Sequence, residues 1–547
     1  MPFATIPIKE DIMKQIKKVS CLVLAALMAT STMVLGACNG SDENEKYKNE
    51  GKSPINVSLY FGEFGVDWLK EIAKGFNETT TSNYYVEVSD HKNLTPTIVA
   101  DIKTGTDKDV FIALDANYQM LYQGDYLEDL SDILTEKPDG DLTVQQMIKD
   151  YDSWSAVGSS GDKLYMLPFN TSPVGLIFDY DRFLEEGWLI TDADGSVSAG
   201  KDGVKGTYDD GQPTTWAEFD ALLAKISLKT KDVFSYMGSV HPEYVNNIVY
   251  AYMAQYMGAE NYQKFLNHDT NGSEVVMEDG TRQSFGIEEG YKALSMDGVK
   301  DSLEFVANYL ANSEYVAART LTDGSFNVNN SHTAFLENES VFLVEGNWWE
   351  NGSRSLIASR EKYGGKPYGQ ADYRYFLLPA IEGQNSAADQ TYFFSQNGGS
   401  IVVPKNKDEA KVAAIKDFLV YMLKSENMEK STVDTGLLWN YNYEIKPEMK
   451  DKMTKFGKNT YAMFNDSERV TVRTFFLDCA AVPYYAYSSA GTSALYSSKN
   501  GQSYVIPAFT AAKNSADTLH SNIISFTQSN WAGYLREAQG FGFYTEK

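Results

Sequence analysis

Cysteine is almost missing from this chain. Three residues in 547 cannot staple a fold of this size with disulfides. Histidine is nearly as scarce. His91, His241, His268, His332 and His520 are scattered, and none belongs to a His-Glu-x-x-His zinc motif. Positive charge is short as well: 48 Lys and Arg stand against 74 Asp and Glu, for a net charge of −26. Phosphate binding needs clustered cations, so nucleic acid is not an expected partner. No Gly-x-Ser-x-Gly elbow and no phosphate-binding Gly-Lys-Ser/Thr loop occurs. What the chain does have is aromatic surface, with 36 Tyr, 28 Phe and 8 Trp. Hydrophobic residues at 43% and charged ones at 22% are globular proportions, and the length predicts more than one domain.

One stretch is apolar enough to meet a membrane. Lys14, Lys17 and Lys18 precede Val19 to Ala37, a charged segment followed by an apolar one, as in a signal peptide. Met13 stands just before the basic cluster and is an alternative start. The stretch ends in Leu35-Gly36-Ala37-Cys38, which resembles a bacterial lipobox. That resemblance implies cleavage before Cys38 and a lipid on its thiol, anchoring the chain to the outer face of the bacterial cell membrane. Residues 1–37 are then the lipoprotein signal peptide. Residues 38–54 are polar and acidic and read as a flexible tether. Cys479 reads as a buried, inert thiol.

Downstream, strands and helices alternate. Ile55 to Phe61, Tyr84 to Val88 and Asp109 to Leu114 read as strands. Trp68, Leu69, Ile72 and Phe76 recur at helical spacing between the first two. Leu164 to Phe169 and Val174 to Asp179 read as a strand pair around a proline turn. Thr215 and Glu218 stand in capping-box register before a helix. Helical patterns dominate from Tyr244 to Tyr315. Ser340 to Val344 and Ser400 to Pro404 are strands. Asp408 to Lys424 is a helix with Ala413, Ile415, Phe418, Leu419 and Met422 on its buried stripe. The pattern predicts an α/β fold with a mainly parallel sheet.

Several strings, in order, resemble the extracellular solute-binding proteins of ABC importers, in the family that includes maltose-binding protein. They are Asp109-Val110-Phe111 with Asp115, Tyr165-Met166-Leu167-Pro168 with Gly175 to Asp179, and Pro213 to Phe219. Phe335-Leu336 through Gly346-Asn347-Trp348-Trp349 and Gly399 to Pro404 complete the set. The resemblance implies a two-lobed periplasmic-binding-protein-like fold with a hinge and a central ligand cleft. It implies an N-terminal lobe of residues 55–168 plus 398–450 and a C-terminal lobe of residues 174–395 plus 451–547. The chain would cross between them near Phe169 to Pro173, near Gln396 to Gly398 and near residue 450. It also implies permease subunits as partners, a monomer, and no enzymatic activity.

Sugars present C–H faces and hydroxyl edges, so a site needs aromatic rings beside amides or carboxylates. The resemblance puts such residues at cleft-edge positions. Asn347 follows a strand end, with Trp348 and Trp349 beside it; one indole is expected to stack on a ring while Asn347 or Glu345 takes hydroxyls. Both indoles could instead be core. Glu63 with Phe64 follows the first strand, and Asp115 with Asn117 follows the third; a helix-start role for Glu63 and a capping role for Asp115 are equally open. Asn170 and Thr171 lie at the inferred crossing. Tyr392, Phe393 and Trp439 are further stacking candidates; Tyr484, Tyr485 and Tyr487 could extend the lining or belong to the core.

The expected ligand is a carbohydrate, preferably an oligosaccharide. A peptide or other polar solute on the same fold, or a surface glycosidase, is the alternative. No cofactor is expected apart from one candidate structural ion. Asp192, Asp194, Asp202, Asp209 and Asp210 lie in a Gly-rich loop, and hard oxygen ligands on such a backbone suit Ca²⁺. The Asp-x-Asp-Gly string lacks the third Asp and closing Glu of an EF-hand loop, and a solvated acidic turn is the other reading.

Overall fold

The structure is a computed structural model that describes residues 44–59, 63–90, 98–113, 121, 124–160, 162–237, 243–381, 383, 390–395, 399–473, 505–510 and 513–540. Cys38, Asp115, Asn117, Cys479, Tyr484, Tyr485 and Tyr487 lie outside the described residues, as does the expected crossing at 396–398. The chain divides into a small unit, Met1–Ser53, and a large one, Pro54–Lys547. Within the small unit, the stretch expected to be tether carries a helical turn, Glu45–Asn49. Its Tyr47 is buried, with the ammonium groups of Lys46 and Lys52 at 5.4 and 5.7 Å from the ring.

In chain order, the strands that position the site are β1 (Ser53–Leu59), β2 (Tyr84–Asp90), β3 (Val110–Ala113), β4 (Leu167–Pro168), β5 (Asn170–Thr171), β6 (Pro173–Asp179), β7 (Phe234–Ser235), β8 (Phe342–Gly346), β9 (Tyr373–Phe376), β10 (Thr391–Ser395), β11 (Ser400–Val402), β12 (Leu438–Trp439) and β13 (Val470–Arg473). The helices are α1 (Asp67–Thr79), α2 (Trp216–Ser227), α3 (Glu243–Met257), α4 (Trp349–Gly352), α5 (Glu409–Met422), α6 (Ser425–Thr435), α7 (Lys455–Asn465) and α8 (Ala516–Gly540).

One sheet has the order β2-β1-β3-β11-β4, and the other the order β13-β10-β6-β8-β7, with β9 also paired to β6. β1 and β3 are parallel, Val57 opposite Val110. β11 is antiparallel to both β3 and β4, and β6 is antiparallel to β8, β9 and β10. The expectation of a mainly parallel sheet is therefore corrected. A parallel partner needs a crossover connection, usually a helix. β11 instead enters the first sheet directly after β10 has ended in the second. For the same reason β4 and β6 are not a hairpin: they belong to different sheets.

Local patterns held where one side of an element faces the core. In α1, Trp68, Leu69, Ile72 and Phe76 are all buried. Thr215 and Glu218 form the reciprocal capping box that starts α2. In α5, Ile415, Phe418, Leu419 and Met422 are buried, but Ala414 takes the inward place expected of Ala413. Two main cores result. The first joins β1, β3 and β11 to α1, α5 and β12. The second gathers the side chains of α2, α3 and one face of β6 and β8, and a smaller cluster on the other face holds Ile177, Leu343, Trp349 and Tyr373. α7 serves both sides: Tyr461 and Phe464 enter the first core, Phe456 and Met463 the small cluster.

Candidate functional site

β8 is buried along its whole length, so its carboxyl end delivers residues 347–350 to the sheet edge with little freedom. There the Asn347 amide donates from Nδ2 to the carbonyl of Gly436, 2.9 Å away. Gly436 ends α6 in the left-handed conformation, φ 78°, a conformation glycine adopts without steric cost. One turn further on, Glu350 is buried at 3% exposure. Its Oε2 accepts from the hydroxyl of Thr454 at 2.6 Å, and the same hydroxyl caps α7 by accepting from the Gly457 N–H at 2.9 Å.

These groups surround a small recess, lined by Asn347, Glu350, Gly436, Thr454, Phe456 and Thr460 among others. Asn347 Oδ1, Glu350 Oε1 and Thr460 Oγ1 are buried there without a hydrogen-bond partner. Burial pushes the Glu350 carboxyl up to about 7, against the Thr454 hydrogen bond and the Arg354 guanidinium, which both pull it down. At the rim, Asn351 donates to the Glu63 carbonyl at 2.7 Å, and the Glu63 carboxylate occupies the place a Cβ on Gly352 would take. Arg354 lies over the Tyr368 ring, 4.3 Å from its centroid, and reaches Asn351 Oδ1 at 2.9 Å.

The structure brings Asn347 and Glu63 to this region, and the side chains of the other described candidates pack elsewhere. Trp348 is 5% exposed and belongs to the first core, although its strand belongs to the second sheet. Trp349 is fully buried among His332, Phe335, Tyr373 and Phe456, a core side chain rather than an exposed platform. Trp439 is equally buried, edge-on to Trp68 and Phe169, with its indole N–H on Ser431 Oγ at 2.8 Å. Phe64 packs in the first core and Tyr392 in the second. These placements follow from burial, which outweighs the expectation of ligand-facing rings.

Asn170 and Thr171 are buried and hydrogen-bonded within the protein. Asn170 Oδ1 accepts from the Gly399 N–H at 3.0 Å and its Nδ2 donates to Ser172. Thr171 donates to Ser395 Oγ at 3.0 Å. Both side chains staple neighbouring crossing segments together, and β5 pairs with β12 across the same place. Glu345 faces His332, which in turn meets Ser353 at 2.9 Å. Glu350, Thr454 and Thr460 were not among the candidates. Glu350 alone carried a signal, as a carboxylate directly after a buried Trp pair.

Residues 71–456 match the model of a family described as bacterial extracellular solute-binding protein. The chain belongs to this family. Solute-binding proteins of solved structure share its two-lobed fold. A chitin oligosaccharide binding protein is 13% identical with a TM-score of 0.56, covering 88% of this chain and 100% of that one. The bacterial solute receptor AcbH, described as preferring β-D-galactopyranose exclusively, is 15% identical at 0.55, with 88% and 98% covered. RafE of Streptococcus pneumoniae is 16% identical at 0.54, with 87% and 98% covered. No curated protein matches. At these identities the structural likeness carries the fold alone.

In the acidic loop of this solute-binding protein, the carboxylates bind neighbouring groups of the loop itself. Asp209, fully buried, accepts from the N–H groups of Lys201 and Asp202 and from the Thr207 hydroxyl. Asp192 pairs with Lys205, Asp194 accepts from Ser196, Asp202 from Val204 and Asp210 from Gly206. Each carboxylate serves its own turn. Among the described residues, no three His, Cys, Asp or Glu side chains gather as a metal cluster. Nor is any described helix long and apolar enough to cross a membrane.

Proposed function

We propose that this solute-binding protein captures a carbohydrate, preferably an oligosaccharide, between its lobes and delivers it to the permease of an ABC importer without altering its bonds. The observation that carries this reading is the contact between Asn347, at the end of β8, and Gly436, at the end of α6. It joins a strand of one sheet to a helix packed in the other core, beside buried, unpartnered oxygen atoms. A ligand held by both sides favours the closed form by the free energy of its extra contacts, and the permease reads that form. The carbohydrate class is supported by the fold neighbours, described as binding chitin oligosaccharide, β-D-galactopyranose and raffinose.

The protein acts as a monomer on the outer face of the membrane, tethered by lipid on Cys38. Calorimetry of the detergent-solubilised chain against galactose, raffinose and chito-oligosaccharides tests the ligand class. Saturable one-to-one heat with a member of that panel is expected. Binding of peptides with no response to any sugar refutes it.

A further inference from the structure

The recess beside Asn347 is chemically one-sided. Its N–H donors are already committed: Asn347 Nδ2 to Gly436, the Gly436 N–H to the Thr432 carbonyl, and the Gly457 N–H to Thr454. The Thr454 hydroxyl donates to Glu350 Oε2 and the Thr435 hydroxyl to Ser431. What remains unpartnered is Glu350 Oε1, Asn347 Oδ1 and the hydroxyl of Thr460, on residues each 3% exposed. With Glu350 ionised, two pure acceptors and one hydroxyl call for a guest that donates hydrogen bonds and can also accept one. Leaving such buried acceptors unpaired is costly, so a guest that enters without donating to them is rejected.

Size narrows the guest further. The recess has room for about one water molecule, so one hydroxyl or hydroxymethyl group enters and a whole sugar ring does not. Phe456 supplies an apolar wall beside the oxygens. We propose that Glu350, Asn347 and Thr460 form a subsite for one exocyclic hydroxyl of the bound sugar, with Glu350 the residue that sets its selectivity. The ring itself lies at the mouth. The sugar hydroxyl donates to Glu350 Oε1 and accepts from Thr460, while Asn347 Oδ1 takes a neighbouring donor. This rests on the carbohydrate reading above and deepens it.

Glu350 is the sensitive member. Besides Thr454, the charged and titratable groups facing it are Arg354, Tyr368 and Tyr373, with Glu63 against the next turn at Gly352. A donor in the recess favours the ionised carboxylate, so binding releases a proton and tightens as pH rises. The substitution Glu350→Gln keeps the shape. With its amide oxygen on Thr454, it turns an NH₂ toward the guest and sets donor against donor.

The test is calorimetry of the full chain in detergent with the sugar that binds best, at pH 6, 7 and 8, on wild type, E350Q and T460V. Folding of each variant is checked by circular dichroism. Wild-type affinity is expected to rise about 10-fold from pH 6 to pH 8. E350Q is expected to lose about 10- to 100-fold at pH 8 and to show a flat profile. T460V is expected to lose several-fold and keep the profile, and it decides the matter if E350Q does not fold. A sugar analogue lacking the inserted hydroxyl should bind wild type and E350Q alike. Variants as tight as wild type with the same pH profile overturn the subsite and leave the carbohydrate reading standing. A wild type that binds no sugar overturns both.

Discussion

The indole of Trp348 lies directly on Gly346, two residues before it, in the space where any side chain at 346 would have to go. Glycine here is a packing requirement: it lets a ring carried by the second sheet seat in the core of the first. Gly346→Ala is expected to displace that ring and cost about 1–3 kcal/mol. Urea unfolding measures the cost, and sugar affinity should fall with it. An unchanged unfolding midpoint refutes the packing role.

Trp349 gives the opposite prediction about its neighbour. Enclosed by His332, Phe335, Tyr373 and Phe456, it contributes to stability rather than to binding. Trp349→Ala should cost roughly 3–5 kcal/mol in the same urea experiment. If the variant unfolds like wild type but binds sugar poorly, the indole is a ligand platform after all.

Glu350 makes the free protein sensitive to pH. Its carboxyl is raised from the ordinary 4.5 to about 7 in the folded state. The folded chain then holds a proton that the unfolded chain has released between those values, so stability falls as pH rises from about 4.5 through 7. At about 1.4 kcal/mol per pH unit the loss is on the order of 3 kcal/mol and is complete above pH 7. Unfolding at pH 5 and pH 8 should show this decline in wild type and not in E350Q. A decline of equal size in both variants would assign it to other groups.

The acidic loop should depend on Asp209 more than on calcium. Its carboxylate organises Lys201, Asp202 and Thr207, so Asp209→Asn is expected to cost about 1–3 kcal/mol and to open residues 192–212 to protease. Millimolar calcium should protect neither form. Calcium-dependent protection of wild type would place an ion in the loop.

Cys38 can be tested in cells. Metabolic labelling with an alkyne fatty acid should tag the wild-type chain, and Cys38→Ala should lose the tag and leave the membrane fraction. Equal labelling of both excludes this thiol as the anchor.

Much of the fold was legible in the chain because its signals are local. The spacing of Trp68, Leu69, Ile72 and Phe76 marks one buried helix face, and Thr215 with Glu218 closes a capping box within three residues. The five short strings from Asp109 to Pro404, weak singly, pointed to the family by their order and spacing. Sheet direction was not legible, because β11 pairs with β3 only after the chain has visited the other sheet. Nor was the role of each aromatic. Trp348 and Trp349 are adjacent in sequence yet lie in different cores.

The sequence by itself determined the main helices and strands, most of their inward faces, and which family the protein joins, since these depend on residues a few positions apart. Only the tertiary structure decided that Glu350 is a buried acid held by Thr454, and that Asn347 reaches Gly436. Those partners are 104 and 89 residues away, and burial depends on what packs on top of a side chain, which no short pattern encodes.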